Sequence, residues 1–276
     1  MSDVVNKLWG FCHTLRHDGI DYGDYIEQLT YLLFLKMADE RGVDVPLGCE
    51  WESLKKRSGT DLTDHYLDVL RSLRESPGLL GDIFAQSMPR FNNPVNLKRI
   101  IAMIDEEDWT EMGVDVKAAA FEGLLEKAAS EGKKGAGQYF TPRPLIKAMV
   151  ECLRPEPNKT IADPACGTAG FFLAAYDWMT DNHTLDKAQK QFLKYETFFG
   201  NEIVASTRRL ALMNLFLHNI GDIDSANFIS PNDSLITDSG TRYDYILANP
   251  PFGKKSSMTF TNEEGEQEKE DLTYNR

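Results

Sequence analysis

Apolar positions recur every three or four residues along the first half of the chain. In the second half they come as short runs that stop at polar turns. Val4, Val5, Leu8, Trp9, Cys12 and Leu15 mark one helical face. Tyr22, Ile26, Leu29, Leu32, Leu33 and Met37 mark a broader one, closed by Gly42 and Pro46. The same spacing predicts helices near 61–75, 94–106 and 115–130, separated by Pro77-Gly78, Pro89 and Gly113. No strand-like alternation competes, so residues 1–130 read as an all-helical domain suited to packing on a partner or scaffold.

Three glycines in residues 131–137 form a flexible boundary before a second domain, 131–276. A helix follows Pro144, and the pattern then becomes strand, turn, helix. Strands are predicted at 160–162, 197–201, 226–229 and 243–248, the last as a short buried strand stopped by Pro250-Pro251. Alternating strands and helices predict an α/β, Rossmann-like parallel sheet with right-handed crossovers.

Ligands of such sheets sit outside the carboxyl ends of the strands. Asp163, Glu202, Asp233 and Asn249 fall there, one per strand. Gly167 and Gly170 allow backbone to approach a ligand at a helix N-terminus, where free N–H groups point outward. Residues 138–143 are either a proline-punctuated helix entry or a ligand-facing loop. A dinucleotide site would need G-x-G-x-x-G and an acid about 20 residues on, after strand two. Cys166-Gly167-Thr168-Ala169-Gly170 lacks that spacing, Glu202 is much farther, and Asp181 follows no strand. A P-loop fails for want of Gly-Lys-Ser/Thr. Asn249-Pro250-Pro251-Phe252 is a stiff corner with an amide, carbonyls and a ring. Alone it reads equally as a packed turn or as a clamp for a planar amine, and the series of strand ends favours the clamp.

Composition narrows the classes. With 276 residues, 42% hydrophobic, two domains can bury cores. No apolar stretch nears the ~20 residues that span a membrane, and the N-terminal segment lacks a signal pattern, so a cytoplasmic location is expected. Cysteines 12, 49, 152 and 166 and histidines 13, 17, 65, 183 and 218 show no ligand spacing, and no structural metal is expected. A net charge of −13 argues against gripping nucleic acid unaided. Lys55-Lys56-Arg57, Lys133-Lys134 and Lys254-Lys255 are only local clusters.

The series Gly137-Gln138-Tyr139-Phe140-Thr141-Pro142, then Asp163 to Gly170, Asn201-Glu202 and Asn249 to Phe252, resembles the amino-methylating DNA methyltransferases. It is most similar to the modification subunit of type I restriction–modification systems, and the resemblance covers nearly the whole chain. It implies an S-adenosylmethionine site. Gln138, Tyr139, Phe140, Thr141, Pro142 and Arg143 would enclose the cofactor's methionine end with Asp163, Gly167, Thr168, Ala169 and Gly170. Glu202 would take the ribose hydroxyls, and Asp233 would face the adenine amine. Asn249, Pro250, Pro251 and Phe252 would be catalytic. The Asn249 oxygen and the Pro250 carbonyl would accept from both hydrogens of an adenine N6 amine and localise its lone pair. Phe252 would stack on the extruded base, worth ~1–3 kcal/mol. No protein nucleophile is needed. The implied partners are double-stranded DNA, a specificity subunit, a restriction subunit and a second modification subunit per specificity subunit, with no membrane.

The resembled fold continues beyond its fourth strand, so this chain is expected to be a truncated form. The acidic run 263–271 reads as a solvated loop or disordered tail, and strand four as an exposed edge. No target-recognition module is present, which favours a separate specificity subunit. Two other readings stand: a methyltransferase for a protein glutamine amide, and a non-catalytic cofactor- or partner-binding module.

Overall fold

The computed structural model describes residues 10–11, 19–20, 22–107, 109, 141–222, 228–236, 240–250, 257–261 and 267–271. The expected helix before residue 16 falls largely outside them; the helix at 115–130 and the boundary at 131–137 fall wholly outside. No helix among the described residues is long and apolar enough to cross a membrane.

The helical half is built around α1 (Tyr22–Glu40). Its apolar residues occupy more than one face: Tyr25, Ile26, Leu29, Tyr31, Leu32, Leu33, Phe34 and Leu35 are all buried. The helix is therefore central rather than amphipathic. Two polar residues caught inside it are satisfied. Gln28 Nε2 donates to the Met88 carbonyl at 2.9 Å, and its Oε1 accepts from Tyr66 and from the Arg90 amide. Thr30 donates to the Ile26 carbonyl.

Around it lie α2 (Trp51–Lys55), α3 (Gly59–Arg74), α4 (Gly78–Phe84) and α5 (Pro94–Asp105). The pattern missed α2 and α4, which are too short to show a period. Pro77-Gly78 reads as a separator, yet Pro77 is the N-cap of α4. Asp105 ties α5 to its neighbours by accepting from Trp51 Nε1 at 2.8 Å and pairing with Lys36 and Lys55.

The second half runs α6 (Arg143–Leu153), β1 (Ile161–Asp163), α7 (Gly170–Asn182), α8 (Lys187–Tyr195), β2 (Phe198–Asn201), α9 (Ala205–Leu217), β3 (Ile229–Ser230) and β4 (Tyr245–Ile246). Helix α8 was also missed, although its Asp186/Gln189 capping box is written in the sequence. The strands form one parallel sheet in the order β3-β2-β1-β4. From β1 the chain winds outward to β3 and then returns to the other side of β1 as β4. This makes the β1/β4 junction the switch point where such sheets open a crevice.

Strand β4 corrects the expectation of a buried strand over 243–248. Only two residues pair, and Ile246 is 65% exposed while Leu247 is buried. Strand β4 is an edge of the described sheet, so alternate side chains face outward. Its start is pinned by Asp244, whose carboxylate accepts from the Thr160 amide and hydroxyl. A second correction lies at the C-terminal end. Ser257–Thr261 (β5) and Gln267–Asp271 (β6) pair as an antiparallel hairpin rather than a disordered tail. Met258 and Phe260 alternate with Ser257, Thr259 and Thr261, a strand pattern overshadowed in the sequence by the neighbouring acidic run.

The two halves share one core through α9. Phe216 packs on Phe34 with ring centroids 5.0 Å apart, and Arg41 lies over the Phe216 ring. Arg209, only 5% exposed, pairs with Glu27 at 2.7 Å and donates to the Tyr31 hydroxyl and the Ala85 carbonyl. Arg208 bridges Asp82 of α4 and the Ile229 carbonyl of β3. Replacing Arg209 with Met should cost ~3–5 kcal/mol of unfolding free energy, because Glu27 is left without its buried partner. Arg71→Met, which breaks an exposed pair with Asp68, should cost less than about 1 kcal/mol. Denaturant unfolding of both variants reads the difference.

Candidate active site

Strand β1 ends on Asp163, which is 1% exposed. The chain then turns sharply: Asp163 Oδ1 accepts from the Ala165 amide at 3.0 Å, and the Cys166 amide donates to the Asn201 carbonyl at the end of β2. Gly167 and Ala169 both have left-handed backbone, φ 55° and 66°, and Ala169 caps α7. A positive φ at alanine is a strained conformation that its surroundings must hold. Gly170 has a different reason to be glycine: an added Cβ would sit 2.9 Å from the Ile146 side chain of α6. Gly200, inside β2, likewise leaves room for Cys166 and Phe172, which would lie 2.9 and 3.0 Å from a Cβ there. The turn thus rests directly on the sheet and on α6.

Glu202 follows β2 and is 7% exposed; one carboxylate oxygen accepts from the Val204 amide at 2.7 Å. Asp233 follows β3, and its Oδ1 accepts from the Leu235 amide at 2.9 Å. Each acid therefore uses one oxygen to shape its own loop. The exposed apolar residues Ile203, Leu235 and Ile236 adjoin these acids in sequence. Asn249 follows β4, and its Nδ2 donates to the Thr141 hydroxyl at 3.0 Å, tying the corner to the entry of α6. Pro250 is exposed at the same corner. Gln138, Tyr139, Phe140, Pro251 and Phe252 lie outside the described residues. Pro142 is the N-cap of α6, and Arg143 opens that helix with its charge countered by Asp177 of α7.

Burial sets the electrostatics. It pushes the Asp163 carboxyl up to about 7, with the Glu202 charge adding to the rise and the Ala165 amide opposing it. Glu202 is also raised by burial, against amide bonds from Val204 and Gly167. Burial holds the Cys166 thiol protonated, and that of Arg143 lowers its guanidinium to about 10. Two desolvated acids beside amides of a helix N-terminus suit a ligand that brings positive charge and hydroxyl donors. A protonated, buried Cys166 is no nucleophile.

Three positioning contacts escaped sequence reasoning. Ser234 donates its hydroxyl to the Pro164 carbonyl, and Asn201 Nδ2 donates to the Asn232 carbonyl at 3.1 Å, so the 231–236 loop is bound to the β1 turn and to β2. Asn214 of α9, 1% exposed, donates to the Thr168 carbonyl at 2.9 Å. All three reach backbone carbonyls more than 30 residues away, and no local pattern announces them. Among the described residues no group of three or more His, Cys, Asp or Glu side chains is placed to hold a metal ion.

Comparison with known proteins gives this geometry a family. The N-6 DNA methylase family model matches residues 113–275, and the HsdM N-terminal domain model matches residues 4–44. The StySJI type I restriction enzyme methylase subunit of Salmonella typhimurium is 37% identical over 275 residues, 94% of this chain and 52% of that protein. The EcoKI methylase subunit of Escherichia coli K12 is also 37% identical, over 94% of this chain and 52% of its own length. The chain spans about half the length of the curated relatives it matches. A chain from a type I R-M system structure shares the fold with TM-score 0.77 and 24% identity, over 92% of this chain and 56% of that one. A modification subunit from Vibrio vulnificus YJ016 does so with TM-score 0.69 and 22% identity, over 91% and 61%. With its family model covering more than half of the sequence, the chain belongs to the N-6 DNA methylase family.

Proposed function

We propose that this chain carries the cofactor and acceptor sites of a DNA adenine-N6 methyltransferase, as part of the modification subunit of a type I restriction–modification system. The observation that carries the reading is the family match falling on a parallel sheet whose strand ends bear Asp163, Glu202, Asp233 and Asn249.

The residues present fit S-adenosylmethionine. Among the described residues no cation accounts for the burial of the Asp163 carboxylate, and the turn from Gly167 to Gly170 opens a helix N-terminus. Asp163 and that turn would hold the methionine end with the 138–143 segment, Glu202 the ribose and Asp233 the adenine amine. When bound, the cofactor supplies an electrophilic methyl group on a sulfonium. The protein's task is then to place and activate the acceptor amine. Asn249 Oδ1 and the Pro250 carbonyl accept its two hydrogens, and Phe252 stacks on the base. Catalysis rests on positioning, with no covalent protein intermediate.

Double-stranded DNA is the proposed substrate. A net charge of −13 is a poor match for a polyanion, which supports a specificity subunit supplying most of the grip. A restriction subunit and a second modification subunit would complete the assembly.

Labelled methyl transfer to DNA, with protein as a parallel acceptor, tests the reading. Incorporation into DNA adenine supports it, and incorporation into protein glutamine would overturn it. Adding the specificity subunit should raise DNA affinity sharply; equal sequence-selective binding without that subunit would contradict its proposed role. Asn249→Ala should leave cofactor affinity nearly unchanged while removing transfer. Asp163→Ala should weaken cofactor binding by roughly 10- to 100-fold, the scale of one charge-assisted hydrogen bond. Both are read by calorimetry beside the transfer assay.

The raised Asp163 carboxyl gives a pH signature. Folded, it protonates near 7; unfolded, near ~4. In that window the folded state binds the extra proton, so this group's contribution makes stability fall as pH rises from ~4 through about 7. A cationic ligand prefers the carboxylate. Cofactor affinity should therefore rise roughly tenfold between pH 6 and 8, with proton release on binding. Asp163→Asn should remove that dependence in calorimetry across buffers.

A further inference from the structure

The hydrogen bond between Thr141 and Asn249 joins the segment before α6 to the corner after β4, across 108 residues. We infer that Thr141 is a positioning residue for Asn249, holding its carboxamide so that the oxygen is left to accept from the acceptor amine. This rests on the methyl-transfer reading above, and it gives the Thr141 hydroxyl a task on the acceptor side of the site, taking that one side chain out of the cofactor-enclosing role proposed for the 138–143 segment.

A carboxamide has two ends of nearly the same shape and opposite chemistry: Nδ2 only donates and Oδ1 only accepts. Rotation by half a turn would set one NH2 group against another and end amine activation. The backbone before Asn249 is anchored as far as Leu247, whose amide donates to the Ala162 carbonyl at 3.0 Å. Pro250 follows and has no N–H to contribute. The orientation of the side chain therefore depends on a contact from elsewhere, and Thr141 Oγ1 provides it by taking the donor end.

A hydroxyl can also donate, so a reversed amide would still find a partner at Thr141. It would then present its NH2 to the amine, leaving both donors without an acceptor. Only the orientation seen satisfies Thr141, Asn249 and the amine together.

Thr141 is well supported for this task. Pro142 restricts it to extended backbone, and its branched side chain has few rotamers. The Pro142 carbonyl accepts from the Leu145 and Ile146 amides, and Ile146 is buried against the Gly170 end of α7. The hydroxyl is thus held at the edge of a packed helix pair, not on a free loop.

The test is a kinetic split in the full modification subunit with its specificity subunit and DNA. Thr141→Val keeps the side-chain shape and removes the hydroxyl. It should bind S-adenosylmethionine within about twofold of the parent by calorimetry, while kcat for labelled methyl transfer falls about 10- to 100-fold. Thr141→Ser should restore kcat to within about threefold. A Thr141→Val enzyme with unchanged kcat, or one whose loss lies in cofactor affinity, would overturn the assignment. Failure of the parent protein to bind S-adenosylmethionine or to methylate DNA would instead overturn the underlying reading.

Discussion

Helix α9 has to satisfy two cores at once, and the rest of the structure depends on how it does so. Arg209 and Phe216 face the helical half, where Glu27, Tyr31 and Phe34 receive them. Arg208 and Asn214 reach the sheet half through the carbonyls of Ile229 and Thr168. Two cations and an amide buried in a helix would be a liability if any stood unmatched. The guanidinium NH groups of Arg209, Arg208 Nε and Asn214 Nδ2 are matched, and these contacts fix both the rotation and the depth of α9. The helix follows directly after Glu202, so its placement also sets where that acid stands.

The site carries a similar tension. Asp163 and Glu202 are removed from water, and that burial raises both carboxyls against the amide bonds that oppose it. The strained backbone at Ala169 adds to this. Such costs persist because neighbours over-determine the turn: Ser234 and Asn214 take the Pro164 and Thr168 carbonyls, and the Cys166 amide bonds to Asn201. Under the proposed function, a cationic cofactor would offset the burial of these two acids.

The sequence made the order of elements legible wherever a pattern ran long enough. The central helix from Tyr22, the helix after Pro142 and the strand-turn-helix at Asp163 are all visible in apolar spacing and glycine placement. Strand ends were legible too, because prolines and acids stop them. What stayed hidden was either too short or too distant. Helices α2 and α4 have fewer than three turns, and Ile246 sits in an apolar run that hides its exposure even with β4 expected, and found, at an edge. The pairing of 257–261 with 267–271 was hidden by the charges of the second strand. Ser234, Asn201 and Asn214 bond to carbonyls whose nearness only the fold creates. The position of Asp163 at a strand end was readable, but its raised carboxyl was not, since desolvation is a property of the packed state.

The two halves of the site also meet physically. Helix α7 opens at the turn that Asp163 begins, α6 packs on its Gly170 end, and Thr141 stands at the entry to α6 with Asn249 bonded to it. The turn is therefore linked to the acceptor corner through the close packing of α7 on α6 at Gly170 and Ile146 and through the Thr141–Asn249 hydrogen bond. The switch point between β1 and β4 explains why this route is short. Parallel winding carries β1 and β4 far apart in sequence and then sets them side by side, with Ile161 opposite Tyr245. One strand ends at Asp163, the acid proposed to meet the cofactor, and its neighbour leads to Asn249, the amide proposed to activate the acceptor amine. Under that proposal, the topology that sets β1 beside β4 is what would bring methyl donor and acceptor together.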